Sequence, residues 1–390
     1  MPVRRPQVAL IIETSRAYGC GLLQGIARYS RTHGPWALYH QERGMADPAP
    51  IWLADWSGDG IIARVESRTL ERAILDTGLP TVDLRGKYDL DLPLIETNDK
   101  QVCKMAAEHL IERGFRHFAY CGFAGANYSQ RRLTYFPPLV KQAGFNCHIY
   151  PPADAGEPAT QQETELHGIL YEQQIIAWIE SLPKPIGIMA CNDIRGQQVL
   201  NACRVLSVPV PEEVAVIGVD NDPTLCELSD PSMSSVEPDT HRIGYEAAAL
   251  LFRMMQGHKP AQKKTFIDPK RIVTRQSTDV IAIEDPQVAK AARYIREHAC
   301  EGINVEHVLA QVRVSRTTLD QRFFKALGRS PKAEIIRIQL NRIKQLLSET
   351  DFTLMAVAQM TGFKHTEYMC NVFEKRAGMT PGECRKRNRR

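Results

Sequence analysis

The sequence predicts an α/β region over residues 1–278 and an all-α region over 287–390, joined by a linker at 279–286. Three observations carry this reading. From residue 6 to about 278, short apolar runs alternate with stretches of helical period, as in parallel sheets covered by helices on both faces. After RQSTDVIAIEDPQ no strand-like run follows, and helical patterns continue to the end. Charge divides at the same place: residues 285–390 carry 20 Lys and Arg against 11 Asp and Glu, whereas residues 1–284 carry 29 against 34, so the net +4 conceals a basic end. A chain of 390 residues also exceeds one ordinary core.

The strand-like runs are 8–12, 36–39, 60–63, 81–83, 118–121, 186–190 and 214–219. Between them lie helical patterns such as 99–113, capped by Asn98 or Asp99, and 196–206. The first run opens VALIIETSRAYGCGLLQGIARYS, where Gly19, Gly21 and Gly25 precede a helix and Glu42 follows the next strand. That invites comparison with a dinucleotide loop. The spacing argues against one: a pyrophosphate turn needs its first glycine directly after the strand, and six residues, 13–18, intervene here. The predicted role of those residues is a polar loop lining some other cleft. YPPADAGEPATQQETE, residues 150–165, is a loop with nothing to bury.

Composition, 43% hydrophobic and 24% charged, is that of a globular protein. No apolar run reaches the roughly 18 residues that span a bilayer, and the apolar run after Arg4-Arg5 is too short for a signal-peptide core. The expected location is the cytoplasm, with no membrane partner. The ten cysteines are scattered without a CxxC pair, which predicts free thiols and no metal site. No cofactor is expected.

The basic end repeats one plan. In NVEHVLAQVRVSRTTLDQRFFKAL a short helix meets a turn at 312–314, and Ser315 caps a second helix with Leu319 and Phe323 inward. In TLMAVAQMTGFKHTEYMCNVFEKRAG, Gly362 stops the first helix, and Tyr368 and Phe373 are expected inward on the second. A long amphipathic helix, 331 to about 348, joins the two units. Second helices of this kind fit major grooves, with basic neighbours on phosphates, and two on a stiff spacer reach successive grooves about 34 Å apart. DNA is therefore the expected macromolecular partner. The region resembles an AraC-type DNA-binding domain through SRTTLDQRFFKALGRSP and AQMTGFKHTEYMCNVFEKRAGMTPGECR. The resemblance implies that Arg316, Thr317, Asp320 and Gln321 on one helix, and Thr366, Glu367 and Asn371 on the other, face bases. Arg322 is expected to meet phosphate. Arg313, Gln321, Met369 and Cys384 depart from the residues usual in that family.

In GIMACNDIRGQQVLNACRVLSVPVPEEVAVIGVDND one strand ends at Asn192 and another at Asp220. Side chains at the carboxyl ends of parallel strands converge on a crevice, and donors with carboxylate acceptors there suit a polyhydroxylated ligand. Residues 6–278 resemble the effector domain of LacI/GalR-type regulators, itself similar to periplasmic sugar-binding proteins. This implies a periplasmic-binding-protein-like fold of two lobes, about 1–113 with 240–261 and 114–239 with 262–278. It places Asp220, Asn192 and Arg132 on sugar, although Tyr135 stands where that family usually has Gly. Tyr18, Glu13 and Arg16, on the first strand-end loop, are the further expected sugar contacts. Through ETSRAYGCGLLQGI, DWSGDGII and IREHACEGINVEHVL the chain as a whole resembles the regulators of xylose operons, which implies D-xylose as effector, activation of transcription with RNA polymerase as partner, and a homodimer formed through the sugar-binding part. Another sugar, or repression, are the alternatives within this class. A sugar-binding protein alone leaves the basic end idle, and an enzyme lacks both a nucleotide loop and a catalytic set.

Overall fold

The computed structural model describes residues 5–45, 47–151, 165, 172–279, 283 and 285–388. The predicted loop at 150–165 lies outside the described residues apart from its ends. The chain divides into two compact units, up to Val280 and from Ile281.

The first unit opens with β1 (Gln7–Ile11), α1 (Ala17–His33), β2 (Ala37–His40), β3 (Gly60–Ala63), α2 (Arg68–Asp76), β4 (Thr81–Asp83) and β5 (Leu94–Thr97). It continues with α3 (Asp99–Glu112), β6 (His117–Cys121), α4 (Asn127–Gln142), β7 (Cys147–Ile149), α5 (Glu172–Ser181), β8 (Ile186–Ala190), α6 (Asp193–Val205) and β9 (Val214–Val219). It ends with α7 (Pro223–Leu228), β10 (Ser234–Glu237), α8 (Thr240–Met255), β11 (Lys264–Ile267) and β12 (Arg271–Val273). Two sheets result, in the orders β11-β5-β4-β3-β1-β2 and β12-β10-β9-β8-β6-β7. The pairs are parallel except β10 with β12. Every residue of β3, β8 and β9 is buried, as expected for strands with helices on both faces.

Each sheet anchors one lobe. The chain passes between lobes at Asn98, at 238–239 and at 268–270. Two of the expected crossover positions, 114 and 262, are therefore corrected. Helix α3 packs on α4 and on β8, β9, β10 and β12, so it belongs to the second lobe, and β11 pairs with β5 in the first. The apolar stripe of α3 shows that it covers a sheet without showing which one. The crossovers are tied together: Asn98 Nδ2 donates to Asp268 Oδ1 at 2.8 Å, and Lys270 lies 3.5 Å from Glu237 and 3.6 Å from Asp239.

The opening glycines have a packing role. A Cβ on Gly21 would lie 2.1 Å from Thr240 Oγ1, one on Gly25 2.1 Å from His241 O, and one on Gly244 2.0 Å from Leu22 O. They let α1 and α8 approach closely over a core of Val8, Leu10, Leu22, Ile26 and Ile243.

The second unit is helical: α9 (Pro286–His298), α10 (Val305–Leu309), α11 (Arg316–Leu327), α12 (Pro331–Glu349), α13 (Leu354–Met360), α14 (Thr366–Ala377) and α15 (Pro381–Asn388). Side chains of Asp285, Asn304, Ser315, Ser330 and Thr353 cap five of these, each accepting a backbone N–H of the first turn. Gly362 has φ +78, and a Cβ there would lie 2.5 Å from Gly302 N, so both the turn and the close approach require glycine.

Candidate functional site

The cleft between the lobes of the first unit is lined by Arg16, Tyr18, Arg64, Arg85, Glu96, Asp99, Tyr128, Arg131, Arg132, Glu165, Asn192 and Asp220 among others. Asp220 follows the fully buried β9 with φ +110, and Asn221 with φ +48. The turn is held from outside: Asp220 N–H donates to Val236 O at 3.1 Å, Asn221 N–H to Ser235 Oγ at 2.9 Å, and Arg275 Nη1 to Asn221 Oδ1 at 2.9 Å. A non-glycine residue at such a φ is strained, and the surroundings keep its carboxylate at the cleft. Burial pushes that carboxyl up to about 6, against the pull of Arg132 and Arg64. Asp193 is raised further by burial and by Asp220, and it serves the frame, accepting from Ser235 Oγ at 2.6 Å and Asp222 N at 2.7 Å.

Asn192 caps α6: its Oδ1 accepts Arg195 N–H at 3.0 Å, which leaves Nδ2 for Tyr128 Oη at 3.2 Å and Glu165 Oε1 at 3.3 Å. Arg132 is buried, with Nε on Asp99 Oδ1 at 2.8 Å, Nη1 on Cys191 O, and its guanidinium 5.3 Å from the Tyr128 ring centre. Arg131 bonds Asp99 Oδ2 at 2.7 Å and pairs with Glu96. Burial pushes the Glu96 carboxyl up to about 7 despite Arg131, and its Oε2 is buried without a partner among the described residues. Tyr18, on the first turn of α1, bonds Thr97 Oγ1 at 2.9 Å, and the Arg64 guanidinium lies 4.9 Å from its ring centre. Arg16 pairs with Glu165 across the cleft.

Glu13 requires a correction. It does not line the cleft but lies buried beneath it, paired with Arg64, whose Nε is buried and unpartnered among the described residues. Burial raises the Glu13 carboxyl, and Arg64 opposes the rise. The group that reaches the cleft is therefore Arg64, on the residue after β3. Sequence reading missed Arg64, Glu96, Asp99 and Arg131. Strand-end position marked Arg64 and Glu96, but no motif distinguishes them from other charged loop residues. Carboxylate acceptors, guanidinium donors and aromatic rings converge here, an arrangement suited to a neutral ligand rich in hydroxyls. Among the described residues no cluster of His, Cys, Asp and Glu could hold a metal ion.

In the second unit, α10 with α11 and α13 with α14 form two helix-turn-helix units joined by α12, whose 19 residues span about 28 Å. Leu319, Phe323 and Leu327 bury one face of α11, and Met369 with Phe373 that of α14. Tyr368, expected inward, is instead 57% exposed, and Met369 takes the core position. On the outer faces Arg316, Thr317, Gln321, Arg322, Glu367 and Asn371 are exposed, with Asp320 and Thr366 half-buried. Arg316 pairs with Glu306 at 2.7 Å and Arg322 with Asp285 at 3.0 Å, both exposed to solvent on the arginine side, where such pairs are weak.

Family models match along this chain: an XylR N-terminal domain over 7–96, a periplasmic binding protein-like domain over 107–278 and a helix-turn-helix domain over 308–387. The xylose operon regulatory protein of Escherichia coli K12 is 31% identical over 396 residues, covering 99% of this chain and 98% of its own. The chain belongs to the xylose operon regulatory protein family. The family's Haemophilus influenzae member is 30% identical over 97% of this chain. A solved structure of a xylose-binding transcription activator matches with a TM-score of 0.80 and 29% identity over 100% of both chains. A regulator in complex with cellobiose shares the fold of the effector part, with a TM-score of 0.54 and 21% identity over 71% of this chain. A xylose-operon-type regulator of this kind is a sugar-responsive, DNA-binding transcription regulator rather than an enzyme.

Proposed function

We propose that the effector is D-xylose, bound between the lobes by Asp220, Arg132 and Asn192, with Arg64 and Tyr18 completing the first-lobe wall. The observation that carries the reading is the Asp220 carboxylate, held at the cleft by a strained turn opposite Arg132. A carboxylate accepts two sugar hydroxyls, and a guanidinium donates to others. Asp99, by fixing Arg132 and Arg131 with its two oxygens, positions both donors. Likeness over the full length to xylose operon regulatory proteins supports the pentose.

The output is activation of transcription, as in the solved relative described as an activator. The chain acts as a cytoplasmic homodimer, with ligand favouring one lobe arrangement and so changing how two DNA-binding units are spaced for RNA polymerase. Ligand achieves this only by differential affinity for the two arrangements, and typical couplings are about 1–3 kcal/mol. The base-facing residues are Arg316, Thr317, Asp320 and Gln321 on α11 and Thr366, Glu367 and Asn371 on α14, with Arg322 on phosphate.

Calorimetric titration of the wild-type chain and of Asp220→Ala with D-xylose, D-ribose, L-arabinose and D-glucose tests the reading. It expects binding of xylose alone, lost in Asp220→Ala while basal DNA binding persists. Binding of another pentose in place of xylose reassigns the effector, and undiminished binding by Asp220→Ala removes the site.

A further inference from the structure

We infer that Asn127 is a positioning residue of the sugar site, a latch that draws the two lobes together without touching ligand. This rests on the reading of the cleft as a sugar site. Asn127 opens α4 in the second lobe, yet its side chain bonds the loop after β4 in the first. Nδ2 donates to Gly86 O at 2.9 Å and Arg85 O at 3.4 Å, while Oδ1 accepts from Arg85 Nη1. The amide thus uses its donor and acceptor sides together on one short loop.

Bonds within the first lobe shape the receiving loop. The buried Asp83 carboxylate accepts the N–H groups of Val65 at 3.3 Å, Arg85 at 3.0 Å and Gly86 at 2.9 Å. Gly86 has φ +55, a conformation that favours glycine, and a Cβ there would also lie 2.8 Å from Glu96 Oε2. Glu66 Oε1 holds Arg85 Nε at 2.6 Å. None of these bonds involves the second lobe, so they preorganise the receptacle for the Asn127 amide.

Asn127 is not among the residues lining the cleft, whereas its neighbours Arg85 and Tyr128 are. One helical turn further, Arg131 makes a second tie between lobes to Glu96, so both ties lie on one face of α4. Closure therefore has a source of free energy besides ligand. The fraction of free protein already closed divides the intrinsic dissociation constant to give the apparent one. Losing the latch lowers that fraction and weakens binding with no contact to sugar removed.

The test uses the full chain carrying spin labels on non-canonical residues at Arg72 and Gln142, exposed positions on α2 and α4. Pulsed dipolar distances are measured with and without D-xylose, alongside xylose titrations, for wild type, Asn127→Ala and Asn127→Asp. The second variant, which serves if the first does not fold, keeps an acceptor for Arg85 but loses the donor and sets a carboxylate oxygen against the carbonyls of Arg85 and Gly86. The latch predicts longer inter-lobe distances in the free variants, wild-type distances at saturating xylose, and an apparent dissociation constant raised roughly tenfold, carried by faster dissociation. Free variants with wild-type distances overturn the inference, even if their melting temperature falls. A wild-type chain that ignores xylose defeats the sugar reading instead, and the ligand-free distances still decide the latch.

Discussion

Asp220 combines two costs that a purely structural residue would shed, a backbone at φ +110 and a carboxyl raised to about 6 by burial. Replacement by glycine relieves the strained backbone, worth about 1–3 kcal/mol, so Asp220→Gly is expected to raise the melting temperature of the free protein. The same variant loses the sugar-induced shift, and a lower melting temperature would show that the attraction of Arg132 and Arg64 for the carboxylate outweighs the strain. A proton on Asp220 competes with sugar hydroxyls, so xylose affinity should fall by up to about tenfold per pH unit below about 6, as titrations between pH 5 and 8 would show. On stability Glu96 acts with the same sign as Asp220, since burial raises both carboxyls. Its folded-state value, about 7, lies above the ordinary 4.5, so its contribution is full below 4.5 and is lost as pH rises through about 7. Melting temperatures of the free protein should therefore fall between pH 5 and 8, and Glu96→Gln should flatten that slope. Beneath the site, Glu13→Gln removes the carboxylate paired with the buried Arg64 cation and leaves it only Glu66 and Asp220 as nearby negative charges, at a cost of up to about 3–5 kcal/mol measurable by denaturant unfolding. The strand-end carboxylate Asp220 was legible in sequence because β9 is continuously apolar and stops there. Arg64 was not, because only the folded loop reveals that Glu13 turns beneath it.

Helices α1 and α8 show how far apart in sequence the reason for a residue can lie. In an exposed helix Gly→Ala is favourable by about 1 kcal/mol. At Gly25 the added methyl meets the His241 carbonyl at 2.1 Å, so Gly25→Ala should instead destabilise by about 1–3 kcal/mol in denaturant unfolding. The sequence excluded a phosphate loop by spacing, yet it could not show that Gly21 and Gly25 face a helix more than 200 residues away. The DNA-binding helices were more legible. Ser315 caps α11 by accepting Thr318 N–H, and the turn before α14 closes with Gly362 N–H on Gln359 O, bonds made within a few residues. Thr366→Ala with Asn371→Ala should weaken operator binding far more than binding to random DNA, as parallel fluorescence titrations at one salt concentration would show. Equal losses would move both side chains to the backbone. Tyr368 and Met369 are adjacent in sequence and both large. Helical period alone left one residue of latitude, and packing against Phe373 and Leu347 resolved it in favour of Met369.

For the whole molecule, sequence alone determined the order of parts, an α/β effector unit followed by a basic helical unit, and the family to which both belong. These properties follow from periodicity, charge and short motifs, each recorded within a few tens of residues. It also determined the strand ends on which Asn192 and Asp220 stand, since parallel strands place their carboxyl ends at one edge. Only the tertiary structure decided where the chain changes lobes, because α3 and β11 would satisfy their apolar faces on either sheet and are assigned by contacts with distant strands. The charge network of the cleft was decided in the same way. Asp99, Arg131 and Glu96 are ordinary polar residues along the chain, and they become a linked set only when β5, α3 and α4 meet. Local order is written in neighbouring residues, whereas a binding cleft is made by side chains that only folding brings together.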